Sequence, residues 1–224
     1  MPLAPTLGIL RLDTAFPRVR GDIGCADTFA FPVRYAVVAG ASVDGVVHRP
    51  SEALLPAFVA GGATLAAEGC AGIATTCGFL ARWQRALADR LPVPVMTSAL
   101  LLVPAIARTL PKGRRVGIVT YSAADLTPEV LAGAGADPAT PVAGVDPHGA
   151  FAQTIREDRA TLDAAAMAAD TVAAGRALLA AHERIGAVVL ECANMPPYRD
   201  DVARALRLPV YDAAQAFAWF HAGL

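Results

Sequence analysis

The sequence predicts an α/β protein of two pseudo-symmetric lobes, each a mainly parallel sheet flanked by helices, with a cleft between them. Short apolar runs of β character alternate with longer alanine- and leucine-rich helical runs, the order that builds parallel sheets through right-handed crossovers. The β-like runs are mostly apolar throughout, as expected of strands covered by helices on both faces. Each half also holds one cysteine where a buried strand runs into a loop before a helix. These are Cys77 and Cys192, 115 positions apart in a chain of 224 residues.

The first strand, 7–12, ends on the polar pair Asp13 and Thr14. The glycine-rich stretch Arg20-Gly21-Asp22-Ile23-Gly24-Cys25 follows. It reads as a structured surface loop, with a cover over the cleft as the alternative. Strand 34–39 comes next, then helix 51–68, which stops at Gly69. Strand 72–76 leads into Cys77-Gly78-Phe79 and a helix over 80–90, whose N-terminal amides favour a thiolate. Pro92-Val93-Pro94, in strand 93–97 before Ser98, is the best boundary and places the first lobe at 1–97. The second lobe, 98–211, opens with helix 99–110, halted by Pro111. Strand 115–120 then ends on Thr120-Tyr121-Ser122, and helix 127–134, strand 142–145 and helix 160–183 follow. Strand 187–191 runs into Cys192-Ala193-Asn194-Met195-Pro196-Pro197, where the prolines force a stiff, non-helical exit. Helix 199–206 and strand 210–211 complete the alternation. Ligands of open parallel sheets gather at the carboxyl ends of strands, so the four polar strand ends converge on one cleft.

Composition narrows the function. The chain is 55% hydrophobic and 17% charged. That supplies a core and suggests apolar surface buried between subunits, in a homodimer or higher homo-oligomer. Net charge is −1 with no basic block, which argues against nucleic acid. The start lacks a positive n-region, and no uninterrupted apolar run of membrane-spanning length is present, so the expected compartment is the cytoplasm. Cys25, Cys70, Cys77 and Cys192 contain no C-x-x-C and have no histidine pair at zinc spacing. They are expected to be free thiols, with Cys25 and Cys70 structural. His48, His148, His182 and His221 read as surface residues, and no glycine fingerprint for phosphate is found. No metal or cofactor is expected.

Two thiols facing each other across a cleft suit removal of a carbon-bound proton by one and its return from the opposite face by the other. Asn194 offers an amide to a carboxylate or carbonyl, and Glu191 reads either as a scaffold residue or as an aid to the thiol.

The segments around Cys77 and Cys192, the start Gly8-Ile9-Leu10-Arg11-Leu12-Asp13-Thr14 and the loop Thr120-Tyr121-Ser122 resemble the aspartate/glutamate racemase superfamily. That group includes aspartate, glutamate and hydantoin racemases, maleate isomerase and arylmalonate decarboxylase. The resemblance implies a cofactor-independent racemase or epimerase with its site between the lobes, and a tail, 212–224, that returns to the first lobe. It implies Cys77 and Cys192 as the acid/base pair acting on the α-carbon of a small carboxylic acid or amino-acid derivative. It implies substrate contacts from Asp13, Thr14, Thr76, Gly78, Thr120, Tyr121, Ser122, Ala193 and Asn194. The chain departs from the pattern at Gly78-Phe79 and at Ala193-Asn194, where many amino-acid racemases carry Asn-Thr and Thr-His. The alternatives are a decarboxylase or cis–trans isomerase on the same fold, and a non-catalytic two-lobed protein that binds a small anion. A redox thiol protein is disfavoured by the absence of C-x-x-C.

Overall fold

The computed structural model describes residues 4–224. Met1–Leu3, the beginning of the expected first lobe and of the segment read as lacking a signal, lie outside the described residues. The chain runs β1 (Thr6–Leu12), β2 (Val33–Val38), α1 (Leu55–Ala67), β3 (Cys70–Thr75), α2 (Gln84–Ala88), β4 (Val95–Met96) and α3 (Val103–Thr109). It continues as β5 (Arg115–Thr120), α4 (Pro128–Gly133), β6 (Val142–Gly144), α5 (Ala150–Arg156), α6 (Ala164–Ala181), β7 (Ile185–Leu190), α7 (Arg199–Leu206), β8 (Val210–Tyr211) and α8 (Ala213–His221).

The strands form two four-stranded, all-parallel sheets, ordered β2-β1-β3-β4 and β6-β5-β7-β8. The second order is the first repeated, so the two lobes share a topology. Even the register irregularity recurs, between Thr6 and Leu7 in β1 and between Arg115 and Val116 in β5. The backbone past each cysteine strand is tied alike: Thr76 N donates to Leu10 O and Glu191 N to Val119 O, both at 2.9 Å. β3 and β7 thus deliver Cys77 and Cys192 to equivalent addresses, each two residues beyond its strand.

The eight expected strands are all present. Helices differ where caps and turns intervene. The long helix starts at Ala164 because the Asp163 carboxylate caps it, accepting from Ala166 N at 3.0 Å. After Cys77 the chain makes 3-10 turns over Gly78–Trp83 before α2 begins, so the expected helix 80–90 is mostly not α. α6 is long and apolar enough to cross a membrane by length and composition, yet it carries Asp170 and packs against α7, β5 and β6. α8, absent from the sequence reading as a helix, is closed by a capping box between Asp212 and Gln215. It returns to the first lobe: His221 Nε2 lies 2.7 Å from Pro5 O, and its ring stacks on Phe31. One buried apolar cluster runs through both lobes.

Candidate active site

A narrow pocket with a cavity volume of about 30 Å³ lies where the carboxyl ends of the two sheets meet, lined by Cys77, Cys192, Thr76, Gly78, Glu191 and Asn194 among others. Its remaining walls are largely apolar and aromatic, from Leu12, Phe16, Val43, Val47, Phe79, Tyr121 and Ile155.

Cys77 caps the 3-10 turn, and the Phe79 and Leu80 amides face its sulfur. They favour the thiolate, as the sequence suggests, but burial outweighs them. The thiol is pushed up to about 12, first by desolvation and then by the nearby Glu191 carboxyl. Cys192 is pushed well above its ordinary value by the same two causes in the same order, against the Asn194 amide.

The second cysteine is held by a chain of polar groups from the first lobe. The Cys192 thiol donates to Asn194 Oδ1 at 3.5 Å, and Asn194 Nδ2 donates to Asp22 Oδ2 at 2.6 Å. Arg18 donates to Asp22 Oδ1 at 3.2 Å and to Thr14 Oγ1 at 2.8 Å, with its guanidinium 4.0 Å from the centre of the Phe16 ring. Asp22 is therefore no surface residue: it is 3% exposed. The loop docks by backbone contact too, with Ile23 N donating to Ala193 O at 3.1 Å. Gly21, at φ +105°, lies so close to Pro197 that a Cβ would stand 2.8 Å from its Cα. The Arg18-to-Asp22 spacing and the two glycines were the available signals.

Glu191 is 1% exposed. Thr120 Oγ1 donates to its Oε2 at 2.7 Å, and the Tyr121 amide also faces the carboxyl group. Oε1 has no partner. Desolvation raises this carboxyl to about 7 against both of those hydrogen bonds. Gly78 packs directly on it. A Cβ there would stand 2.1 Å from Glu191 Oε1 and 2.5 Å from its backbone oxygen. Gly78→Ala is therefore expected to cost about 1–3 kcal/mol by overpacking and to lower the melting temperature by several degrees. An unchanged melt would show that this junction is not tightly packed.

Other expected site residues are placed elsewhere. Asp13 is exposed, and its carboxylate accepts from Gly40 N at 3.3 Å; it caps a loop and does not reach Cys77. Ser122 donates to Asp125 at 2.6 Å and faces a neighbouring pocket. Thr120 is buried under Glu191, and Ala193 contributes its carbonyl to the loop contact. Thr14 and Thr76 line the pocket; Thr76 Oγ1 accepts from Leu12 N at 3.2 Å. Tyr121 lines it too, but its hydroxyl is 3.1 Å from His48 Nε2, and His48 Nδ1 is 2.8 Å from Asp125 Oδ2. In the tautomer with its proton on Nδ1, facing the carboxylate, Nε2 accepts from the Tyr121 hydroxyl. His48 is thus a link between lobes, partnered where the sequence named no partner.

A family model described as Asp/Glu/Hydantoin racemase matches residues 37–220. The chain is 30% identical to dimethylsulfoniopropionate lyase 7 of Emiliania huxleyi, over 98% of this chain and 67% of that one. It is 30% identical to lyase 3 of the same organism, over 93% of this chain and 57% of that one. The chain thus spans about three fifths to two thirds of these relatives' length. Among solved structures, a liganded double mutant of arylmalonate decarboxylase superposes with a TM-score of 0.69 at 19% identity, covering 98% and 92% of the two chains. That likeness is one of fold.

Proposed function

The chain belongs to the Asp/Glu/Hydantoin racemase family, and from that premise we propose that it is a cofactor-independent lyase that eliminates dimethyl sulfide from dimethylsulfoniopropionate. The observation that carries the reading is the unequal setting of the two thiols in one apolar pocket. Cys77 receives the Phe79 and Leu80 amides and the field of Arg82, all of which favour a thiolate. Cys192 is tied as a hydrogen-bond donor to Asn194. A racemase needs both sulfurs to exchange protons with carbon. An elimination needs one.

The walls point the same way. An α-ammonium requires hydrogen-bond acceptors, whereas a dialkylsulfonium has no N–H or O–H to satisfy. It suits aromatic and aliphatic surface such as Phe79, Tyr121 and Ile155. Its fixed positive charge also favours ionisation of a thiol that burial by itself holds neutral. The names of the two lyase relatives agree with this reaction. The family expectation stands; the reaction proposed is an elimination, which the sequence reading did not weigh and which shares only the broad lyase class with its decarboxylase alternative.

In the proposed step the Cys77 thiolate takes the proton from the carbon beside the substrate carboxylate. The C–H electron pair becomes the second bond between the α- and β-carbons. The β-carbon–sulfur bond breaks, and its pair leaves with neutral dimethyl sulfide. Acrylate remains, and the Cys77 thiol returns its proton to solvent.

The test is incubation of purified protein with dimethylsulfoniopropionate, reading headspace dimethyl sulfide and dissolved acrylate. A parallel incubation in deuterated water follows α-proton loss from aspartate, hydantoins and arylmalonates. Equimolar dimethyl sulfide and acrylate are expected. Deuterium exchange in an amino acid or hydantoin, with no dimethyl sulfide, would restore the racemase reading in its place.

A further inference from the structure

Most of the neutral donors that the sequence offered for a substrate carboxylate are used up inside the protein. Thr120 donates to Glu191, Ser122 to Asp125, Asn194 to Asp22 and Thr14 to Leu12 O. The Tyr121 hydroxyl is taken by His48. On the pocket wall this leaves the Thr76 hydroxyl, the second amide hydrogen of Asn194 and two buried atoms without a partner, Arg18 Nε and Glu191 Oε1, the latter beside Cys77.

The two oxygens of Glu191 are unequal. Oε2 accepts a hydrogen bond from Thr120, as a carbonyl oxygen does. Oε1 accepts none and lies against Gly78, the residue after Cys77. An ionised carboxylate in this position would hold an uncompensated charge on the buried Oε1 and would repel a bound anion. A protonated one would carry its hydrogen on Oε1, the atom that lacks a partner.

We infer that Glu191 serves the loaded site as a neutral carboxylic acid, its Oε1–H donating to a carboxylate oxygen of the substrate. This rests on the reading above that the substrate is a small carboxylate. As the α-proton leaves, negative charge builds on that oxygen, and a donor already aimed at it stabilises the developing enediolate. The same neutrality keeps a second charge away from the Cys77 thiolate. Glycine at position 78 is what leaves room for the acid.

The consequence is proton uptake on binding. Groups facing Glu191 and its surroundings are Cys77 and Cys192, with Thr120 at the end of β5 and Tyr121 just beyond it, Arg82 near Cys77, and Arg18 and Asp22 on the docked loop. Burial holds Cys77 and Tyr121 up at about 12 and Cys192 well above its ordinary value, so these three stay protonated between pH 6 and 9 in the free protein. Glu191, at about 7, ionises in that range. Above its midpoint, an anion that binds only the neutral acid must bring a proton with it.

The experiment is titration calorimetry of the unreactive anion propionate at pH 8, in buffers of different ionisation enthalpy. The wild-type protein is expected to take up close to one proton per propionate. Its Kd should rise about tenfold per pH unit above the Glu191 midpoint. Glu191→Gln keeps an amide donor but cannot titrate, so it should bind propionate with no proton uptake and a flat pH dependence. His48→Gln, which removes the imidazole hydrogen-bonded to Tyr121, should leave uptake unchanged. Uptake of no proton by the wild type, or uptake that vanishes in His48→Gln and persists in Glu191→Gln, would overturn the inference. Turnover plays no part in the measurement. A missing elimination activity would therefore leave a positive result standing, and an observed one could not rescue a negative result.

Discussion

Serine at position 77 is expected to lower the rate of dimethyl sulfide release by roughly 10²–10⁴-fold, the usual loss when a general base is removed. The exchange of sulfur for oxygen is nearly isosteric, and Cys77 is buried, so the melting curve should hardly move. A hydroxyl in that place is far too weak an acid to supply an alkoxide, even with the Phe79 and Leu80 amides facing it. Cys192→Ser is expected to behave differently. Its hydroxyl can still donate to Asn194 Oδ1, so the loss should be nearer the value of one perturbed hydrogen bond, roughly tenfold. The asymmetry is the discriminating readout, taken as kcat/KM for both variants side by side. Equal and complete loss in both would return the pair to the symmetrical two-base scheme that the matched strand ends suggest.

That contrast shows what the sequence carries and what it conceals. The alternation of apolar runs is a local signal, and it located all eight strands because parallel strands buried on both faces are apolar without interruption. The two cysteine addresses were equally legible, since a strand end followed by glycine or proline is written in adjacent residues. Asp22 was only faintly legible. Its importance comes from burial by a segment 172 residues away; the i,i+4 spacing to Arg18 and the flanking glycines hint at a built turn but do not tell a charge under a loop from one on top of it. Asp13 failed for the opposite reason. A polar residue at a strand end has two directions available, and the turn sends its carboxylate to Gly40 rather than into the cleft. Ser122 and Tyr121 sit at the expected strand end but spend their hydroxyls on Asp125 and His48. His48 lies on a wide turn far from them in sequence, so the competition could not be read locally.

Asp22→Ala is expected to be the most destabilising single change at the site. The Asp22 carboxylate accepts from Arg18 at 3.2 Å, Asn194 Nδ2 at 2.6 Å and Gly24 N at 2.6 Å. Arg18 and Asp22 side chains are only 8% and 5% exposed, so alanine leaves a guanidinium buried without its counter-charge. Breaking a buried pair from one side costs about 3–5 kcal/mol, and for a chain of this length that is roughly 6–20 °C in melting temperature. Activity should fall as well, because Asn194 loses the acceptor that orients it and Cys192 loses a fixed partner. The two effects separate in a double variant. Arg18→Met combined with Asp22→Leu removes both charges and fills the space, which should recover much of the stability. It should not recover kcat/KM, since the amide of Asn194 would still be unanchored. Full recovery of both quantities would mean that the chain from Arg18 to Cys192 only packs the loop against the pocket. Recovery of stability alone would establish it as the device by which the first lobe holds the second lobe's thiol in place.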